Sequence, residues 1–581
     1  MRVPPGRHTT MRARRAVVAL CGHPLGAALT AGLLTLAIML FGPPGGDAAA
    51  HLYLTEFWRE HGWQLWDNFW YSGRYAQINY SLLFYPLAAH IGLALTVAAS
   101  VAGAAGAFTA LVRRRWPTLA AGPTVAFTLL MPIGAVAGTY PFLLGLALAL
   151  IALAALDRGR RVWALIAIAL TGPAHPLALA FLVASLASIA LTIPRWWRRP
   201  GAVAVAATVI ASCALQAVLL RGFATSGAHY PFDPLDALAI VGFCAAGLAL
   251  TRGLDDQRPL RAVFIGYGAF SALAFAMSSP LGGNVVRLLL LMGAPLLALP
   301  LAARGFRPRG AAVVLLAGVV LWQALPAVAG WRTTTESRAQ NADFWYPAIA
   351  FIDAHLKPGE RVQVVATADN WEAYYLAGRG VPLARGWFRQ DDFPANRALY
   401  EKLTPARYTS WLRRTAVRYV LLPDDPLDYS AQDEATLLRS GRSGLRVVAR
   451  IGSWTMFEYP DAQPLATPAR DITVAAMNAS SVTLIARRAG TYRLRVRYTP
   501  YWKTTGVPAC AAPMSPWGTA LHITRPGRVT LTFNLRLGTF VGALLGDGNP
   551  CAGLLARDRA NDAHAVGPTP FSPAGTDRAG H

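Results

Sequence analysis

Up to about residue 330 the chain is built from apolar runs of about thirteen to thirty residues, separated mostly by short loops whose basic side chains are arginine. Runs of that length match the hydrocarbon thickness of a bilayer, and an ordinary soluble core has no use for so many of them. Eleven helices are expected, near 17–41, 82–112, 118–137, 140–156, 162–174, 177–193, 202–220, 235–251, 262–279, 286–303 and 311–329. The fifth and sixth are short, and a helical hairpin that dips in and returns is the alternative there. A signal peptide is the other reading of the first run. Its length and the absence of a small-x-small cleavage site favour a retained helix.

Composition agrees with this reading. Hydrophobic residues make up 54% and charged residues 14%, with a mean hydropathy of +0.35. The net charge of +24 would suit a nucleic-acid binder if it formed one stripe. Instead it is divided into clusters at Arg12/Arg14/Arg15, Arg113–Arg115, Arg158/Arg160/Arg161, Arg195/Arg198/Arg199, Arg252/Arg258/Arg261 and Arg304/Arg307/Arg309. Alternate loops carry only Arg59, Arg74, Arg221 and Arg287. That asymmetry is how topology is encoded, so no nucleic-acid partner is expected; the partner is the lipid bilayer. The rich side is cytoplasmic. The amino terminus is then inside, and an odd number of helices places the part after residue 330 outside a multi-pass plasma-membrane protein.

That outside part divides in two. Residues 343–460 mix helical patterns with the β runs RVQVVATA (361–368), VRYVLLP (417–423) and LRVVARIGSWTMFEY (445–459), which is α/β character. Residues 461–555 alternate as strands in SSVTLIARR, GTYRLRVRYTPYW and GRVTLTFNLRL, which suits a small β-sandwich. Residues 1–16 read as a basic cytoplasmic tail, and 556–581 as a polar tail without structure. Cys21, Cys213 and Cys244 lie in apolar runs. Cys510 and Cys551 stand in the polar outer part, where a disulfide fits an oxidising compartment.

The first outside loop, residues 42–81, is unlike the others. It carries Asp47, His51, Glu56, Arg59, Glu60, His61, Asp67 and Arg74 among Trp58, Trp63, Trp66, Trp70 and Tyr71. The aromatics suit a segment lying in the membrane interface, with Leu54, Phe57 and Trp58 as the buried side of a short helix. Asp47 and His51 are four apart, which on a helix gives one face. Such a pair can orient a base or help hold a divalent metal, and no other cofactor is called for. Asp47 can equally be an N-cap.

Further polar residues reach the same side: Tyr140 in GTYPF, His175 in TGPAHPL, and Asn284 and Arg287 in GGNVVR. Arg287 reads either as a phosphate anchor at a helix start or as a snorkelling interfacial arginine. His175 reads as a turn histidine unless the loops converge. Well inside the spans, away from their ends, no Asp, Glu, Lys or Arg is found, which weighs against a transporter or flippase.

Taken in order, Gly46-Asp47 with His51, FWYSGRY…LLFYPL (69–87), GTYPFLLG (138–145), Ala174-His175-Pro176, GGNVVR (282–287) and YTPYWKTTG (498–506) resemble one family. It is the C-type fold (GT-C) of membrane glycosyltransferases, in particular the bacterial membrane proteins related to YfhO. The resemblance spans nearly the whole chain. It implies a mainly α-helical polytopic GT-C-like domain over 17–330, followed by extracytoplasmic α/β and β-sandwich modules. It implies transfer of a sugar from a polyprenyl-phosphate donor to a cell-envelope glycan or lipid acceptor, with Asp47 as base, tuned by His51. Glu56, Tyr140, His175, Asn284 and Arg287 would bind substrate. Trp371, Tyr374, Trp387 and Trp502 are stacking candidates for sugars, with core packing the other reading and the favoured one for most of them. Gly46-Asp47-Ala48 has one acid where the better-known members have an adjacent pair. That departure favours the alternative, a non-catalytic relative that binds a glycolipid or scaffolds envelope assembly.

Overall fold

The computed structural model describes residues 16–78, 80–224, 229–392, 396–514, 517–546 and 551. The expected terminal tails, and the arginines at 12, 14 and 15, lie outside these residues. Two compact units form: one runs through Leu465 and includes Met477–Ser480, and the other comprises Ala466–Ala476 and the chain from Ser481 onward.

The main helices of the first unit up to residue 336 are α1 (Pro24–Phe41), α2 (Ala48–His61), α3 (Phe84–Ile91), α4 (Leu93–Arg115), α5 (Ala121–Leu130), α6 (Tyr140–Asp157), α7 (Arg161–Ala174), α8 (Pro176–Leu191), α9 (Ala202–Gly222), α10 (Pro234–Thr251), α11 (Arg258–Ala276), α12 (Arg287–Ala303) and α13 (Arg309–Glu336). Among the described residues eight helical segments are long and apolar enough to cross a membrane, and three shorter apolar ones, Ala121–Val136, α7 and α8, stand with them.

Several expected spans are divided. The run at 82–112 is two helices, because Gly92, a poor helix former, falls in its middle. The run at 118–137 breaks before Pro132, whose ring and missing N–H end α5. The run at 17–41 is helical over residues 16–21, breaks at Gly22-His23, and continues as α1 from Pro24. His23 precedes it and accepts the Leu25 N–H at its Nδ1, 3.3 Å away. At the other end α13 continues past the expected 329 to Glu336.

α2 is the short helix of the first loop. It buries Leu54 and Phe57, while Trp58 is half-buried. Beyond α13, α14 (Ala342–His355) leads into a four-stranded sheet of β1 (Arg361–Val364), β2 (Val417–Pro423), β3 (Arg446–Ile451) and β4 (Trp454–Glu458). The order is β1-β2-β4-β3, with β1 and β2 parallel and the remaining pairs antiparallel. The parallel pair matters, since the carboxyl ends of such strands are where ligand loops are usually placed. Trp345, Trp411 and Trp454 are buried about this sheet.

The second unit is a sandwich of two four-stranded sheets. Its strands are β5 (Ala466–Thr467), β6 (Ile472–Asn478), β7 (Ser481–Ala486), β8 (Gly490–Leu494), β9 (Trp502–Gly506), β10 (Ala509–Pro513), β11 (Thr519–Ile523) and β12 (Gly527–Phe533). The sheet orders are β10-β11-β8-β5 and β9-β12-β7-β6. Inward alternation supplies the core, through Val482, Leu484, Leu521, Ile523, Val529 and Leu531. Cys510 of β10 is bonded to Cys551.

Candidate functional site

Asp47 occupies the N-cap position of α2, with φ −98° and ψ 7°, yet its side chain makes no capping bond. Among the described residues nothing donates to its carboxylate. The backbone around it is held by the turn GTYPF. Gly138 has φ +72°, and a Cβ there would lie 2.5 Å from the Asp47 backbone nitrogen. Only glycine lets that turn come so close.

One turn into α2, His51 secures the contact. Its Nε2 is 2.8 Å from the Gly138 carbonyl and its Nδ1 is 3.2 Å from the Tyr85 hydroxyl. A carbonyl can only accept, so Nε2 carries the proton and Nδ1 accepts from Tyr85. Burial pushes the His51 pKa down to about 3. His51 is therefore a neutral clamp. The expected pairing of Asp47 with His51, as base and tuner or as two metal ligands, does not form, because both ring nitrogens are engaged elsewhere.

Asp47 instead lines a polar cavity of about 220 Å³ with Tyr80, Tyr230, Asn284, Arg287, Asp369, Asn370, Trp387 and Arg389. Asn284 lies in the 3₁₀ segment Gly282–Val286, which leads directly into Arg287 at the start of α12. Gly282, with φ +41°, lets this segment pass the Tyr230 carbonyl, which a Cβ would meet at 1.9 Å. The Arg287 guanidinium lies 5.9 Å from the Phe142 ring centre, and among the described residues it has no ion pair.

The opposite wall comes from the α/β part of the same unit. Asp369 and Asn370 follow β1 and stand beyond its carboxyl end. Asp369 accepts from Thr334 Oγ1 of α13 at 3.2 Å. Its Oδ1 comes within 3.7 Å of where a side chain at Gly46 would begin. Arg389 is tied back by Asp428 and by the Tyr400 hydroxyl at 3.3 Å, and lies over the Tyr429 ring at 4.3 Å.

Two carboxylates and two guanidiniums thus share one small chamber. Burial pushes the Asp47 pKa up to about 7; the neighbouring Asp369 adds to the rise, while Arg287 and Arg389 oppose it. Burial likewise lifts Asp369 to about 6, against the hydrogen bond from Thr334. A carboxylate with no donor, poised near neutrality beside cationic side chains, can take a proton from a hydroxyl.

Of the residues expected at the site, Asp47, Asn284 and Arg287 line the cavity together. Tyr140 packs behind it, its ring centre 4.9 Å from that of His51. His175 caps α8 through Nδ1, accepting from the Leu177 N–H, and abuts the Tyr80 ring edge-on at 5.3 Å. These two are backing residues. Glu56 is not in the cavity: it is partly exposed on α2 and paired with Arg59, three residues on. Trp387 is the one stacking candidate that lines the cavity. Trp371 is buried, and Trp502 belongs to the sandwich. Asp369 and Arg389 escaped the sequence reading. The signal for Asp369 was present in RVQVVATADN, an acid just past the end of a buried strand.

The carboxylate donors that the cavity offers a metal are Asp47 and Asp369. Among the described residues no group of three or more His, Cys, Asp or Glu gathers as a metal site.

No family model matches the chain, and a search of curated proteins finds no match. Among solved structures it is similar to the oligosaccharyltransferase of Archaeoglobus fulgidus tethered to an acceptor peptide, at 12% identity and a TM-score of 0.42 over 69% of each chain. It is also similar to the archaeal oligosaccharyltransferase AglB from Archaeoglobus fulgidus in complex with an inhibitory peptide and a dolichol-phosphate, at 13% identity and a TM-score of 0.39, again over 69% of each. A likeness of this size carries no function across, and the chemistry open to the cavity is set by its own side chains.

Proposed function

We propose that the chain is an integral membrane glycosyltransferase of GT-C type. It transfers a sugar from a polyprenyl-phosphate donor to a cell-envelope glycan or lipid acceptor on the outer face of the plasma membrane. One observation carries this reading: an unengaged Asp47 carboxylate faces the guanidinium of Arg287 across a small polar cavity. The cavity opens at the helix ends opposite the arginine clusters, which is the outer side if those clusters are cytoplasmic.

Each residue has its own part in the reaction. Asp47 accepts the proton of the acceptor hydroxyl. The acceptor oxygen forms its bond to the anomeric carbon as the bond from that carbon to the phosphate oxygen breaks. The electron pair of the broken bond stays with the lipid phosphate, and Arg287 neutralises the growing charge. Asn284 offers its amide N–H groups to the same phosphate. Trp387 gives the sugar ring a flat face. Arg389, already paired with Asp428, orders the far wall and adds field.

The test is transfer by the purified full chain from a synthetic polyprenyl-phosphate sugar to a mixture of envelope acceptors, wild type against Asp47→Asn. Loss of transfer with donor binding retained is the expected result. Equal rates would remove Asp47 from the chemistry. The second reading, a glycolipid-binding relative without catalysis, is favoured by the single acid in Gly46-Asp47-Ala48. Its signature is donor binding that Arg287→Gln abolishes, with no transfer by the wild type.

A further inference from the structure

We propose that the arginine-rich end of the helix bundle holds one anionic glycerophospholipid of the membrane, at a site separate from the polar cavity and independent of the transfer reaction. The site is an apolar cleft of about 1050 Å³. It is walled by the last turns of α4, α6 and α8, the first turns of α9 and α11, and α12. Its size has a sequence cause. The facing positions Ala149, Ala187, Ala190, Ala202 and Ala206 are too small to fill the space between helix axes.

Three observations select the occupant. The first is depth. Along α6 the lining runs from Leu146 to Asp157, about 16 Å at roughly 1.5 Å per residue. That is close to one leaflet, about half of the ~30 Å hydrocarbon core. The acyl chains of a leaflet lipid match it, whereas a long polyprenyl chain would overrun it.

The second is charge. Arg115, Arg161 and Arg199 stand in the rim with Asp157. Asp157 is already bonded to both Arg114 and Arg115. Among the described residues Arg161 and Arg199 have no ion pair. They are also held together: the Arg161 side chain lies across Gly201, whose added Cβ would come within 2.7 Å of Arg161 Cδ, and Arg199 is on that same turn. Two uncompensated guanidiniums at the mouth of an apolar cleft fit a phosphodiester. The third is Trp196, half-buried in the rim, where an indole suits the headgroup level.

The experiment is native mass spectrometry of the full chain in mild detergent, titrated with phosphatidylglycerol and with phosphatidylcholine of the same acyl chains. One phosphatidylglycerol should be retained in preference. The double variant R161Q/R199Q should weaken that retention about 30-fold, each basic residue near a phosphate being worth about fivefold. Arg198→Gln, on the same turn but outside the cleft, should change nothing, and Ala187→Trp should displace both lipids by filling the space. Equal retention of the two lipids, or a preference that survives R161Q/R199Q, overturns the proposal. So does a polyprenyl phosphate that displaces phosphatidylglycerol and ignores the two arginines, since the cleft would then serve that chain. If Ala187→Trp fails to fold, the arginine variants decide alone.

Discussion

The two halves of the first outside loop each hold an aspartate, and they treat it in opposite ways. Asp67 is fully buried, accepting from the Phe69 N–H at 2.8 Å and from the Tyr53 hydroxyl at 3.1 Å. Asp47, twenty residues earlier, has no donor among the described residues and faces a cavity. Burial raises both, Asp67 to about 6 and Asp47 to about 7. The shift alone therefore does not separate a structural acid from a functional one. The hydrogen bonds do: the acid that holds the loop is satisfied, and the acid free to accept a proton is left without partners.

The sharpest test exchanges each for its amide. Asp47→Asn should lower transfer by roughly 100- to 10,000-fold, as expected for a lost general base, with thermal stability unchanged or raised. If Asp47→Asn unfolds the protein while transfer per folded molecule is kept, the comparison is broken. Arg287→Gln comes next, with a loss of roughly 100-fold or more, the size of one missing donor to a developing anion. It should be accompanied by weaker donor binding, read by titration with a non-transferable phosphonate analogue.

Asp67→Asn should act on stability. An amide cannot accept from both Phe69 and Tyr53 without presenting its own N–H₂ to a buried wall, at a cost of about 1–3 kcal/mol. Chemical denaturation would show it, and transfer per folded molecule should hardly move. Gly138→Ala strikes the other half, since its methyl would press on Asp47. It should reduce transfer more than it reduces stability, which paired rate and denaturation curves would separate.

The smallest effect is in pH dependence. Asp47 must be ionised to accept a proton, so transfer should rise with pH through about 7 and then level. Asp369 raises the Asp47 pKa through like charge, so Asp369→Asn should move that rise to lower pH. Stability runs the other way. A raised carboxyl pKa means that the folded state holds the proton more tightly, so this stabilisation is present at low pH and is lost as pH climbs from about 4 through about 7. Asp47→Asn should flatten that loss, measured as Tm against pH.

Much of the helical part was legible because a bilayer sets the length of an apolar run, and chain order then carries the rest. The divisions at Gly92 and Pro132 were not legible: the expected runs pass through both, and residue type alone does not mark a break when Gly103 and Gly106 stand inside α4 and Pro295 and Pro300 inside α12. The expectation for His51 failed for a definable reason. The rule that puts i and i+4 on one face holds between helical residues, and Asp47, with ψ 7°, stands just outside the helix. Its carboxylate turns to the cavity while His51 turns to Gly138. Glu56 failed similarly, because spacing brought it near Asp47 in sequence while α2 carries it to a partly exposed face.

By itself the sequence determined where the apolar runs lie, the α/β and β-sandwich character of the chain beyond them, and three of the cavity's residues, Asp47, Asn284 and Arg287. These are local properties, set by periodicity, loop position and charge. Only the tertiary structure decided that Asp369 and Arg389, more than 300 residues from Asp47 along the chain, close the same cavity, and that His51 does not serve it. Which loop ends meet depends on how a strand's carboxyl end packs against a helix start, a long-range contact that no local pattern records.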